Sequence, residues 1–243
     1  MATIEQRFRR IGPQLVAEFL GTFALVFFGC ASVIVSGAGS MAEGFGGSLV
    51  TIALAHGLIL AVAVACAVYV SGAQFNPAVS LGLVIAGKQT LVKAGAFALT
   101  QLFAAASAAG MLVLLLGREI ADNPARGTEL GATIGVLTRL GNVPGVFGFE
   151  FISTFALMYV ILAAAVDRRA FRAIGPLAIG GTLAAAILAH GPLTGAALNP
   201  ARAFGPALYG HWTMHWVYWL APILGATAAA GVYRLYGAKE VER

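Results

Sequence analysis

Charge is the first thing this sequence is short of. Asp, Glu, Lys and Arg make up 10% of its 243 residues and hydrophobic residues 59%, where a soluble domain carries about 25% charge. That balance excludes a surface kept in water on all sides. Cysteine is scarcer still. Cys30 and Cys66 are the only two, and both fall inside apolar runs. They read as small buried hydrophobes, which excludes a disulfide framework and a Cys/His metal cluster. The 10 acidic residues form no Ser-His-Asp set or other enzyme constellation with their neighbours. No catalytic residue, metal or cofactor is expected.

What the chain does have is long apolar runs. About 20 apolar residues cross a bilayer, and six such runs stand at about 13–36, 48–70, 92–117, 145–166, 174–190 and 214–236. The fifth is short and spans if its ends extend slightly. The first follows a basic start (Arg7, Arg9, Arg10), but it is too long for a signal peptide and has no small-residue cleavage site behind it. The net charge of +5 suggests nucleic acid only until its distribution is read. Arg7, Arg9, Arg10, Lys88, Lys93, Arg168, Arg169, Arg172, Arg234, Lys239 and Arg243 fall at the termini and in the even-numbered loops. Arg118, Arg126 and Arg139 alone fall in the odd-numbered ones. The positive-inside rule then puts both termini in the cytoplasm, with the lipid bilayer as partner. A cell membrane of the bacterial inner-membrane kind is expected, and no nucleic acid.

The chain also repeats itself. SGAQFNPAVSLG (Ser71 to Gly82) answers TGAALNPARAFG (Thr194 to Gly205), and the stretch from Glu18 to Leu25 answers that from Glu150 to Leu157. Gly57 and Gly180 each stand 19 residues ahead of their Asn. The first half carries about nine extra residues, for which the Gly/Ser-rich stretch from Ser36 to Ser48 is the natural place. Each half holds three spans, so the second half enters from the opposite side, an inverted repeat. The apolar segments behind the two Asn-Pro-Ala triplets are about ten residues long, which as helix rise ~15 Å, half a bilayer core. They must dip in from opposite faces and return, and irregular backbone at that depth needs protein cover or a watery cavity. The expected fold is therefore an all-α membrane protein, six transmembrane helices plus two re-entrant half-helices. It forms one domain over 1–243 with halves at about 11–120 and 145–237.

Asn is a preferred N-cap and Pro suits the first helical position, so each triplet starts a helix abruptly, with Ser71-Gly-Ala and Thr194-Gly-Ala leading in as extended chain. Two helix N-termini, each with roughly half a positive charge, then converge at the midplane. A cation meets repulsion there, while the amides of Asn76 and Asn199 can donate to a neutral solute. The loop copy Asn123-Pro-Ala-Arg126 has no apolar segment behind it and reads as an ordinary turn.

These motifs, over almost the whole chain, resemble the aquaporins of the major intrinsic protein family. The resemblance implies a passive channel for water and small neutral solutes that excludes protons and ions, assembled as a homotetramer. It makes Asn76, Pro77, Ala78, Asn199, Pro200 and Ala201 the pore motifs. Matching positions give a selectivity filter of His56, Ile187, Ala196 and Arg202, with the register at Ile187 open by one residue. Orthodox water channels carry an aromatic and a histidine where this chain has His56 and Ile187. The set is similar instead to tonoplast-type filters that also pass ammonia, and a strictly water-selective pore is the alternative. A merely buried structural histidine is the alternative reading of His56. Ala203, Ala207 and the pair Tyr218-Trp219 place the chain in the water branch rather than the glycerol branch. Glu18 and Glu150 read either as proton relays or as acceptors for backbone N–H groups of the re-entrant loops; the resemblance favours the second. Gln74 departs from the family's usual histidine and cannot charge. His190, His211 and His215 are expected toward the outer side. A secondary transporter shares inverted repeats and broken helices, but no carboxylate lies near the boxes to bind a coupling ion.

Overall fold

The computed structural model describes residues 4–38, 48–167 and 172–237, and among these every regular element is helical. Most of the Gly/Ser-rich stretch, 39–47, lies outside the described residues, as do Arg168, Arg169, Lys239 and Arg243. The helices in chain order are α1 (Ile4–Ala38), α2 (Leu49–Ala67), α3 (Pro77–Ile85), α4 (Leu91–Leu116), the single turns α5 (Arg118–Ala121) and α6 (Val136–Arg139), α7 (Val143–Ile161), α8 (Gly175–Thr194), α9 (Pro200–Ala207) and α10 (Val217–Gly237). A wider turn, Leu162–Val166, extends α7.

Six of these are long. Helices α1, α2, α4, α7 and α8 are long and apolar enough to cross a membrane. The 21 residues of α10 rise ~31 Å, also a full crossing, with Tyr218, Trp219, Pro222 and Arg234 diluting its apolar character. The nine residues of α3 and eight of α9 reach only about halfway. The outward faces carry Leu20 and Phe28 on α1, Leu58 and Val62 on α2, Leu99 and Phe103 on α4, and Leu177 on α8, all exposed. Apolar surface on that scale belongs against lipid tails.

The two halves pack as copies. The packing of α1 on α4 is matched by α7 on α10, α1 on α2 by α7 on α8, and α3 on α10 by α9 on α4. The equivalent helices α2 and α8 cross at the centre, where Gly57 meets Gly180. A Cβ on Gly57 would stand 2.7 Å from the Gly180 carbonyl oxygen, and one on Gly180 2.2 Å from that of Gly57. Small residues let helix backbones approach this closely in a membrane. The buried polar residues, among them Glu18, Gln101, Glu150, Thr194, Asn199 and Arg202, gather around the two half-helices and the segments that lead into them. We call the face carrying Lys88 and Lys93 inner, after the charge asymmetry, and the opposite face outer.

Candidate functional site

Both half-helices begin as cap chemistry dictates. Asn76 sits at φ −156° and accepts from Ala78 N through its side-chain oxygen at 2.9 Å. Asn199 sits at φ −150° and accepts from Ala201 N at 2.9 Å and Arg202 N at 3.4 Å. Pro77 and Pro200 fill the first helical positions, where no N–H is needed. Each amide then crosses to the other half. Asn76 Nδ2 donates to the Leu198 carbonyl and Asn199 Nδ2 to the Phe75 carbonyl, both at 2.8 Å. One N–H of each amide is thus spent tying the halves together, which leaves one each for a solute. The loop copy at Asn123 accepts from Ala125 N at 3.1 Å, but its helix is a single turn, Pro124–Arg126. The same cap without an apolar segment behind it goes nowhere.

The lead-in segments are not extended. Ala73 (φ 50°) and Phe75 (φ 51°) in the first half, and Ala196 (φ 43°) and Leu198 (φ 51°) in the second, alternate through left-handed backbone, which follows Gly72 (φ 94°) and Gly195 (φ 90°). Such residues cost about 1–3 kcal/mol each and persist only where surrounding structure holds them. The two glutamates do the holding. Glu18 Oε1 accepts from Ser71 Oγ (2.6 Å) and Gln74 N (2.9 Å), and Oε2 from Phe75 N (2.7 Å) and Gln101 Nε2 (2.8 Å). Glu150 Oε1 accepts from Thr194 Oγ1 (2.8 Å) and Ala197 N (3.0 Å), and Oε2 from Leu198 N (2.8 Å). Both glutamates are fully buried, and each spends three of its lone pairs on the loop it braces.

A path runs between the halves in three connected cavities. The inner vestibule is lined by Tyr69, Lys88 and Lys93 among others. The central channel includes Asn76, Asn199, Leu60 and Leu183. The outer vestibule includes Glu129, Arg139 and Ile187. Room for the centre of a water molecule is about 20 Å³ in the channel, against about 470 Å³ and 200 Å³ in the inner and outer vestibules. The channel is far tighter than either vestibule, and among the described residues no Asp or Glu lines it.

His56 and Arg202 line both the channel and the outer vestibule, so they stand at the boundary. His56 Nδ1 lies 2.9 Å from the Ile52 carbonyl and must donate to it. Its Nε2 is then the acceptor, and Arg202 Nε donates to it at 3.3 Å. Gly29 makes room for the ring, since a Cβ there would stand 2.5 Å from His56 Nε2. Arg202 is 4% exposed, and its Nη1 is buried without a partner. Ala196 lines the channel and Ile187 the outer vestibule, with Leu188 turned outward and exposed.

The three histidines expected toward the outer side differ in their surroundings. His190 is buried and does not reach the outer mouth. Its ring stacks on Phe149 at 5.1 Å, with Nε2 2.7 Å from Ser153 Oγ and Nδ1 3.0 Å from Thr194 Oγ1. Thr194 Oγ1 gives its one hydrogen to Glu150, so His190 Nδ1–H must be the donor to it. His215 lies in the outer loop and accepts from Trp219 Nε1 at 2.9 Å, and burial holds its pKa below the ordinary histidine value. His211 pairs with Asp122 at 2.7 Å. Sequence reasoning missed Gln101, which braces Glu18, and the Tyr218 hydroxyl, which donates to the Thr194 carbonyl. It also missed Gln89, which pairs with Gln74. Each is an ordinary residue in its own segment and acquires its role only from a partner far along the chain.

Comparison with known proteins follows the same lines. A family model described as Major intrinsic protein matches residues 7–233. Aquaporin TIP4-4 of Zea mays is 40% identical over 224 residues, covering 90% of this chain and 84% of its own. Nodulin-26 of Glycine max is 38% identical over 226 residues, covering 91% and 77%. The X-ray structure of the aquaglyceroporin from Plasmodium falciparum matches with a TM-score of 0.73 at 26% identity, over 91% of this chain and 95% of that one.

Proposed function

The chain belongs to the major intrinsic protein family, and from that premise we propose a passive transmembrane channel for water that also admits ammonia and other small neutral solutes while excluding protons and ions. It is a multi-pass membrane channel and not an enzyme. The observation that carries the reading is the narrow channel bounded by two capped helix N-termini and, at its outer end, by Arg202. As is general for aquaporin-type pores, an arginine and half-helix dipoles oppose cations. The channel wall between them is mostly apolar, with Leu25, Leu60, Val79, Leu157, Ile179 and Leu183 along it. A solute passing there gives up most of its hydration and recovers hydrogen bonds from Gln74, Asn76, Asn199, Arg202 and backbone groups, because both ring nitrogens of His56 are already used. Small neutral molecules tolerate that exchange; ions do not.

In this reading Asn76-Pro77-Ala78 and Asn199-Pro200-Ala201 form the central constriction. His56, Ile187, Ala196 and Arg202 form the outer filter, and Glu18 and Glu150 brace the re-entrant segments. The whole of 1–243 acts as one channel domain with cytoplasmic termini, four copies associating with a pore each. The relatives named above come from plants and Plasmodium falciparum and lend no support to a bacterial inner membrane. A strictly water-selective pore is the second reading, favoured by the channel's small volume. A coupled transporter needs a site for its ion, and no carboxylate lines the channel.

The test is stopped-flow light scattering on proteoliposomes, with water, ammonia, urea and glycerol compared side by side. Water flux is expected to be linear in the osmotic gradient and indifferent to ion gradients. Saturable uptake that depends on sodium or protons would remove the channel reading.

A further inference from the structure

The inner vestibule and the central channel share five lining residues: Ala73, Gln74, Val79, Ile161 and Ile179. They mark the neck through which anything from the inner face must enter. Gln74 alone among the five is polar, and its side chain is fastened at both atoms. Gln74 Nε2 donates to Gln89 Oε1 at 2.8 Å, and Gln89 Nε2 donates back to Gln74 Oε1 at 3.0 Å. The second hydrogen of Gln89 Nε2 goes to the Ser80 carbonyl at 2.6 Å.

That last contact fixes the chemistry of the pair. A carbonyl takes only a donor, so the Gln89 atom facing Ser80 must be the nitrogen. The Gln74 atom facing that nitrogen must then be the oxygen. Both donors of Gln89 are used. Gln74 keeps one N–H and one lone pair, and its backbone N–H is already held by Glu18 at 2.9 Å. The other half has no such arrangement. The position equivalent to Gln74 is Ala197, and that equivalent to Gln89 is Trp212. The pair is therefore no part of the repeat but belongs to the inner end alone. A free glutamine side chain explores many rotamers, and fixing one costs conformational entropy. Gln89 is what fixes this one.

We infer that Gln89 is a positioning residue for permeation. It holds the Gln74 amide flat against the neck, so that the neck stays open and offers the passing solute one donor and one acceptor. The inference rests on the channel reading above. Without Gln89 the amide is released into the neck, where it can cross the path. Entry of water is then slowed, and entry of urea, which is wider, is slowed more. The charged and titratable groups around the pair are Glu18, on the Gln74 backbone, and Lys88, Lys93 and Tyr69, in the vestibule wall. None of them touches either amide.

The test is a double-mutant cycle in proteoliposomes, reading osmotic water and urea permeability. Gln89→Met keeps the length of the side chain and removes its amide; Gln89→Ala is the second variant, should Met not pack. Wild type is expected to conduct water. Gln89→Met should lose at least about threefold in water permeability, the equivalent of ~0.7 kcal/mol, with a further drop in the urea-to-water ratio. In a Gln74→Ala background the same substitution should change neither quantity, because no amide is left to be positioned. An unchanged Gln89→Met channel overturns the inference, and so does a loss that persists in full when Gln74 is alanine, because Gln89 would then act only through the Ser80 carbonyl. Wild type that conducts no water at all would remove the channel reading itself, a result distinct from both.

Discussion

Arg202 holds a charge almost out of water, at 4% exposure, with a single side-chain partner, His56 Nε2 at 3.3 Å. A buried cation is costly unless paired and hydrogen-bonded, and among the described residues no carboxylate lies within bonding distance of this one. In the proposed channel its unpartnered Nη1 is a donor for a passing solute. The His56 tautomer serves the same end, because the Ile52 carbonyl takes Nδ1–H and Nε2 is left to receive Arg202 Nε. Arg202→Val should open the outer boundary and remove its donors together. Urea permeability should rise by about fivefold, as if ~1 kcal/mol left its barrier, while water flux changes by less than about twofold. Stopped-flow traces with urea and sucrose as osmolytes, on a variant shown monodisperse by size exclusion, check this; an unchanged solute profile would mean that Arg202 does not line the path. The arginine was legible in the sequence because it directly follows Asn-Pro-Ala, and cap chemistry is local. His190 was not. Its place is decided by Phe149, Ser153 and Thr194, three residues on two helices whose contact no local pattern announces.

At the scale of elements the halves are alike in helix order and in the bonds that shape their loops. Glu18 meets Ser71, Gln74 and Phe75 just as Glu150 meets Thr194, Ala197 and Leu198. The long helices were legible because an apolar run of bilayer length admits one backbone solution, all hydrogen bonds internal. The half-helices were legible because the cap fixes where they start and the length limits where they end. The left-handed lead-ins were not. Their φ values are imposed by carboxylates more than 40 residues away, which a reading of Ser71-Gly-Ala as extended chain has no means to see. The crossing of α2 and α8 tests the element scale most directly. Gly180→Ala drives a methyl to 2.2 Å from the Gly57 carbonyl, while Gly181→Ala meets nothing within 4 Å. The first should destabilise the fold by about 1–3 kcal/mol, the usual cost of overpacking, and the second should be neutral or stabilising. Thermal melts in detergent, followed by circular dichroism, separate the two; equal melting temperatures would mean that the helices do not cross at these glycines.

For the whole molecule the question is what a pore of this design rejects. Its two helix N-termini meet at the centre, and Arg202 stands at one end, so positive potential extends over much of the path. Cross-bonds from Asn76 to Leu198 and from Asn199 to Phe75 lock that geometry between halves, so the field does not depend on one element staying in place. Ammonia and ammonium differ by one proton and are nearly the same size, which makes them a clean probe of field against width. Ammonia is close to water in size and loses less on dehydration. In the proposed outer filter, Ile187 and Ala196 supply no second polar wall to favour water over it. Ammonium meets the full repulsion and no compensating carboxylate in the channel. An ammonium chloride pulse on proteoliposomes should therefore alkalinise the lumen faster than in empty vesicles, with no inward current under a clamped potential. The double substitution His56→Phe with Ile187→His rebuilds a bulky, more polar filter and should slow the alkalinisation while water flux persists. Wild type no faster than empty vesicles, or a double mutant that conducts ammonia as well as wild type, would leave the strictly water-selective reading in its place. An inward current would mean that the helix ends and Arg202 do not govern charge in this pore.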